Sequence, residues 1–218
     1  MRDVRILLRP LGSPLPLGFT GLAGATFVLA GLQLGWVATT ETWTVALVMV
    51  TFAAPLQAVT SVLGFLARDV VAGTGMGLLA ATWLTVGLTK LGSASGTTSD
   101  ALGLLLLLAA TGLLLVVVSA GVGKLLASLV LTVAALRFLA TGLYQLTASS
   151  AWETTAGVTG LVLTAVALWA VLAFASEDSL LRPLLPTLRS GPGRTATEGT
   201  LADEERGLRH EPGVRRML

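Results

Sequence analysis

Across the 166 residues from Leu11 to Ser176 only eight side chains are charged: Glu41, Arg68, Asp69, Lys90, Asp100, Lys124, Arg137 and Glu153. The other 18 of the chain's 26 charges lie in the first ten residues or after Ser176. An ordinary soluble domain is about 25% charged, so this stretch cannot supply a water-facing surface. Its apolar residues gather instead into six runs: Leu17–Ala38, Trp43–Leu66, Val70–Leu91, Ala101–Ala120, Lys124–Leu146 and Glu153–Ala175. Each is roughly 20 residues long, enough to cross a hydrocarbon core about 30 Å thick. Inside a bilayer the backbone must satisfy its own hydrogen bonds, so each run reads as a helix. The expected fold class is all-α, a polytopic membrane protein built as a six-transmembrane-helix bundle. Connections of three to nine residues make consecutive helices antiparallel neighbours. The first run exceeds the apolar core of a signal peptide and no small-residue cleavage site follows it.

The same sparseness removes whole classes of chemistry. There is no cysteine, so no disulfide framework, thiolate zinc site or iron–sulfur cluster is available. The single histidine, His210, falls in the polar tail, which leaves no His-based triad or metal cluster within the bilayer. No Asp or Glu lies in the interior of a run, which argues against a proton relay or a carboxylate-ligated cation site. No enzyme activity, catalytic residue, metal or cofactor is expected. The net charge is only +2, and the arginines read as topology signals rather than as a nucleic-acid surface.

Those signals orient the bundle. With the N-terminus inside, Arg2, Arg5, Arg9, Arg68, Lys124 and the seven tail arginines all face the cytoplasm, 12 of the 14 Lys and Arg residues. Glu41, Asp100 and Glu153 then lie outside, with Lys90 the one cation beside them, and Trp36, Trp43, Tyr144 and Trp152 cluster at that outer interface. The expectation is N-in and C-in, in the plasma membrane. Three regions follow: a cytoplasmic N-terminal segment 1–12, a transmembrane domain 13–176, and a cytoplasmic tail 177–218 with seven acids and seven arginines, read as mostly disordered. Val4, Leu7, Leu8 and Leu11 recur at helical spacing, as in an interfacial amphipathic segment.

Few residues are left to carry function. Arg137 lies 13 residues into the fifth run, where a cation costs roughly 2.5–3.5 kcal/mol if it faces lipid. It is expected to face protein or water, with Thr141 and Tyr144 continuing a polar stripe on the same helical face. Its planar guanidinium suits a carboxylate, so it reads either as an anion attractor at an outer vestibule or as a snorkelling residue held by a carbonyl or by Glu153. Pro55 interrupts the second run, frees the carbonyl of Thr51 and predicts a kink beside Gln57, a candidate lining for a polar cavity. Gly21, Gly24, Gly31 and Gly35 in the first run, and Gly73, Gly77, Ala80, Ala81 and Gly87 in the third, mark close helix packing, with Gly31-x-x-x-Gly35 a small-residue pair.

The stretch Ser13-Pro-Leu-Pro-Leu-Gly-Phe19 resembles the Asn-Pro-Ala-Pro-Leu-Gly-Leu signature of the acetate/succinate transporter family, matching at Pro14, Pro16, Leu17 and Gly18. Gly64-Phe-Leu, the run from Thr74 to Trp83, Leu131-Thr-Val and Arg182-Pro-Leu-Leu-Pro186 keep that family's order, so the resemblance covers about residues 13–187. It implies passage of small monocarboxylates such as acetate, or of succinate, through each subunit of a homo-oligomeric, hexameric ring. It also implies a constriction at Leu22, Leu79 and Leu131, where the family has Phe, Tyr and Leu, so two of the three positions have lost an aromatic ring. Ala67 or Arg68 stands where the family carries an acid, and Arg137 has no family counterpart.

Three readings follow. The first is a channel-like pathway for a small organic anion or its neutral acid, with Arg137 drawing the anion and Gln57, Thr141 and Tyr144 as polar stations. The second is a membrane scaffold that retains the bundle without a working pore. The third, weaker, is a carrier of an apolar or neutral solute.

Overall fold

A computed structural model describes residues 12–120, 123–180 and 182–191. Most of the segment read as amphipathic, the tail beyond Gly191 and His210 lie outside the described residues. Six helices are long and apolar enough to cross a membrane: α1 Leu15–Gln33, α2 Thr39–Leu66, α3 Val70–Gly92, α4 Asp100–Ala120, α5 Leu125–Thr147 and α6 Ser150–Leu180. No strand forms among the described residues, and the chain is a multi-pass, all-α membrane protein.

Local chemistry sets the helix ends. Pro14 caps α1 and Pro16 sits in its first turn, where a missing N–H costs nothing because that group has no intrahelical acceptor. α1 stops at Gln33 rather than running on to Ala38. The Trp36 N–H donates to the Gly31 carbonyl at 2.8 Å and the Gly35 N–H to Leu32 at 3.2 Å, with Gly35 at φ +75°. This left-handed closure favours glycine and makes Gly35 part of the turn. Gly31 and Gly35 therefore do not form the small-residue packing pair expected of them. The same closure ends α2, with Arg68 at φ +57° and the Asp69 N–H on the Gly64 carbonyl at 2.8 Å. Asp69 then caps α3 by accepting from the Ala72 N–H at 3.1 Å.

Within α2 the expected proline kink takes a specific form. Pro55 has no N–H, and its ring crowds the carbonyl four residues back. Met49–Ala53 accordingly widens into a π-turn, in which the Ala54 N–H reaches the Met49 carbonyl five residues earlier.

The helices close into a ring in chain order, each packed on its neighbours and α1 completing the circle against α6. Glycines permit the tightest approaches: Gly73, Gly77 and Gly87 all lie against α2, and a Cβ at Gly64 would come within 2.7 Å of the Gly73 nitrogen. Side chains fill the ring. Phe19 stacks on Phe174 at 6.2 Å, Trp83 meets Phe138 edge-on at 5.5 Å, and Leu131 of α5 reaches Gly75 of α3. Leu104, Leu108, Leu115 and Val118 of α4 remain exposed, an outward apolar face suited to lipid.

Both ends of the described chain meet at one face, where the Ser13 N–H donates to Asp178 at 2.8 Å. Asp69 pairs there with Lys124, and Arg189 grips Glu177 through two nitrogens while lying 5.9 Å from the Phe174 ring. α6 continues to Leu180 instead of loosening after Ser176, and residues 182–191 fold back, with the Leu184 N–H on Ser176 Oγ at 2.9 Å. The start of the tail, read from sequence as unstructured, is thus tied to the bundle by charged contacts that a polar composition alone does not reveal.

Candidate functional site

At the end opposite the termini, the ring of helices opens into a cavity of about 50 Å³. By this measure a single water needs about 10–15 Å³, so the space holds a few waters or a small carboxylate. Leu29 and Leu106 supply apolar wall, while Gln33, Lys90, Thr141, Tyr144, Gln145 and Glu153 supply polar groups. These residues come from α1, α3, α4, α5 and α6, five helices that each have an end at this face.

Beneath the cavity is Arg137, fully buried. Its Nη1 donates to the Ala156 carbonyl at 3.0 Å and its Nη2 to Gln33 Oε1 at 3.3 Å, while Nε has no partner. The guanidinium also lies 5.8 Å from the Trp83 ring, a cation–π arrangement that offsets part of its desolvation. Among the described residues no carboxylate reaches it within ion-pair distance. Room for the side chain comes from Gly160, where a Cβ would overlap Nη1. Arg137 therefore faces protein rather than lipid, with a carbonyl and an amide as partners and not Glu153. It remains a positive charge without a negative counterpart; it does not itself line the cavity, but its partner Gln33 does. The Thr141 hydroxyl is turned onto the Arg137 carbonyl at 2.9 Å.

Glu153 instead lines the cavity wall together with Tyr144 and Lys90. Lys90 and Glu153 attract across the cavity without closing into a contact ion pair. The two cations that stood apart from the positive-inside pattern, Lys90 and Arg137, thus come together at one site. Gln145 braces the rim, its Oε1 accepting from the Ser99 N–H at 2.8 Å.

The remaining candidates lie deeper. Gln57 is fully buried, and neither its amide nitrogen nor its oxygen has a hydrogen-bond partner. It shares a face of α2 with Ala53, Thr60, Ser61 and Gly64, all buried, and Thr60 meets Gly18 and Met76 one turn away. An amide without a partner in a dry interior costs about 1–3 kcal/mol. Leu22, Leu79 and Leu131 are all buried in one continuous apolar core, and the cavity reaches neither these leucines nor Gln57. Pro14 and Pro16 lie at the termini end, with the Pro14 carbonyl accepting from Thr60 Oγ1 at 3.3 Å. Leu17 beside them is exposed, while Gly18 packs inward against Thr60 and Met76.

Sequence reasoning placed Arg137, Thr141 and Tyr144 on one stripe but did not single out Gln33, Gly160, Gln145 or the facing of Lys90 and Glu153. The available signal was the isolation of Lys90 on the side that otherwise holds acids.

No protein-family model matches the chain, and no curated protein matches it by sequence. The fold is similar to that of the solved bacterial acetate channel SatP, with a TM-score of 0.71 and 20% identity over 81% of this chain and 99% of that one. At that identity the likeness establishes a shared fold.

Proposed function

We propose that the chain is a membrane channel or transporter for small monocarboxylates such as acetate. The observation that carries this reading is the buried, unneutralised Arg137 under a small polar cavity, in a bundle with the fold of an acetate channel. The guanidinium's charge favours an anion nearby, and a carboxylate entering the cavity supplies the counter-charge that the protein lacks. The filled axis around Leu22, Leu79 and Leu131 then corresponds to a closed constriction, which must part for solute to pass towards Gln57 and the mouth shaped by Pro14, Pro16, Leu17 and Gly18. In this reading the termini are cytoplasmic, the protein works in the plasma membrane as a homo-oligomer, and its solute is the small organic anion or its neutral acid. A cavity of this size fits a two-carbon acid better than succinate.

A specific observation favours a second reading. The centre of the ring is packed with side chains, as in a scaffold that kept the bundle and has no pore. Flux of labelled acetate into proteoliposomes separates the two. The transport reading expects uptake above that of empty vesicles and slower uptake in Arg137→Leu. Uptake equal to empty vesicles at every pH tried refutes it.

A further inference from the structure

We propose that Glu153 is a specificity-determining residue that makes the cavity a site for monocarboxylates and excludes dicarboxylates. The inference rests on the carboxylate reading of this same site and deepens it through a count of charges. Two cations bear on the cavity, Lys90 in its wall and Arg137 through its bond to the wall residue Gln33. One anion opposes them, Glu153, which also lines the wall beside Tyr144. The site without solute carries a net charge of about +1 by this count, and one monocarboxylate brings it to neutrality. A dicarboxylate leaves a surplus negative charge in a cavity partly shielded from water, where Coulomb interactions are several times stronger than in solvent. Glu41 and Asp100 stand exposed on the same end of the bundle and add to the repulsion of a dianion, though solvent screens them.

The geometry gives Glu153 this role rather than that of an ordinary ion-pair partner. Its carboxylate does not close on Lys90, although both line one cavity of about 50 Å³. The ammonium is therefore left facing space that a second carboxylate can enter. Arg137 is unable to supply discrimination alone, because it is fully buried, does not line the cavity and acts on it as a field past Gln33. Specificity that depends on a repulsive element as well as an attractive one is the general pattern of selective sites.

The test titrates the purified, full-length protein with sodium acetate and with sodium succinate at pH 7.5 and matched ionic strength, following intrinsic tryptophan fluorescence and thermal shift. Wild type is expected to bind acetate and to bind succinate more weakly. Glu153→Gln, which preserves size and raises the count to +2, is expected to shift the succinate-to-acetate ratio by about tenfold toward succinate. Lys90→Gln lowers the count to zero and is expected to weaken acetate. The double variant Lys90→Gln/Glu153→Gln returns to +1 and is expected to regain acetate binding, a rescue that a purely structural role does not produce. An unchanged ratio in Glu153→Gln, or a double variant no better than Lys90→Gln, overturns the proposal. So does wild type that binds neither anion. Flux into proteoliposomes is read separately: this binding pattern without flux rejects the transport reading and keeps the site, while acetate flux without the pattern rejects the site and keeps transport.

Discussion

Replacing Gly160 with alanine should remove Arg137 from its socket. A methyl group at that position would overlap Nη1 and come within 2.9 Å of Cζ. The guanidinium is the far end of a long side chain and can move, but moving it breaks its bonds to the Ala156 carbonyl and to Gln33. Hydrogen bonds from a charged donor are worth about 1.5–3 kcal/mol each, and the displaced charge has no carboxylate to receive it. Against this, alanine gains about 1 kcal/mol over glycine in a helix interior. The expected net loss is about 3 kcal/mol, which for a chain of this size lowers Tm by roughly 6–12 °C. Thermal unfolding of the detergent-purified protein, followed by tryptophan fluorescence, reads this directly. Repeating the substitution in an Arg137→Met background isolates the cause. Only the Ala30 contact at 3.1 Å then resists the new methyl, and the penalty should fall below about 1 kcal/mol. If Gly160→Ala is as stable as wild type or more so, the guanidinium does not occupy this socket. If the penalty persists undiminished in the Arg137→Met background, it arises elsewhere.

Arg137→Met alone should fold with stability within about 1 kcal/mol of wild type, since an apolar side chain of similar length can replace a buried charge; acetate flux should nevertheless fall. Gln57→Leu should raise stability by about 1 kcal/mol or more by removing an amide with two unpartnered atoms, while slowing acetate flux; a destabilised variant would show that Gln57 holds the bundle together. Asp69→Ala should cost about 1 kcal/mol more than Asp69→Asn, which loses the partly exposed Lys124 pair yet keeps an N-cap on α3; equal losses in denaturation would deny the cap its role. Glu177→Gln should loosen residues 182–191, read as faster hydrogen exchange at the Leu184 amide, and exchange at the wild-type rate would place the anchor elsewhere.

Much of the architecture is legible in the sequence because the bilayer leaves so few alternatives. Pro14 and Pro16 announce the start of α1, and three of the four residues from Ala67 to Val70 mark the break before α3 through a turn and a cap. Gly31 and Gly35 show the limit of such reading. Helical spacing fits them equally well as packing residues, and only the hydrogen bonds of the turn reveal that the helix has already ended. The early tail shows another: a composition of acids and arginines reads as solvated until Glu177 and Arg189 are seen to pair across twelve residues.

The sequence by itself determined six membrane-crossing helices, their order, and the exceptional standing of Arg137 and Lys90, because periodicity and the cost of burying charge are local properties of the chain. Only the tertiary structure decided that Lys90 and Glu153 line one cavity whose wall residue Gln33 bonds Arg137, that Gly160 makes space for the guanidinium, and that the axis near Leu131 is filled. Those facts depend on how helices from distant parts of the chain rotate against one another, and no spacing along a single helix encodes that rotation. Charge balance at the candidate site is therefore a property of the closed ring.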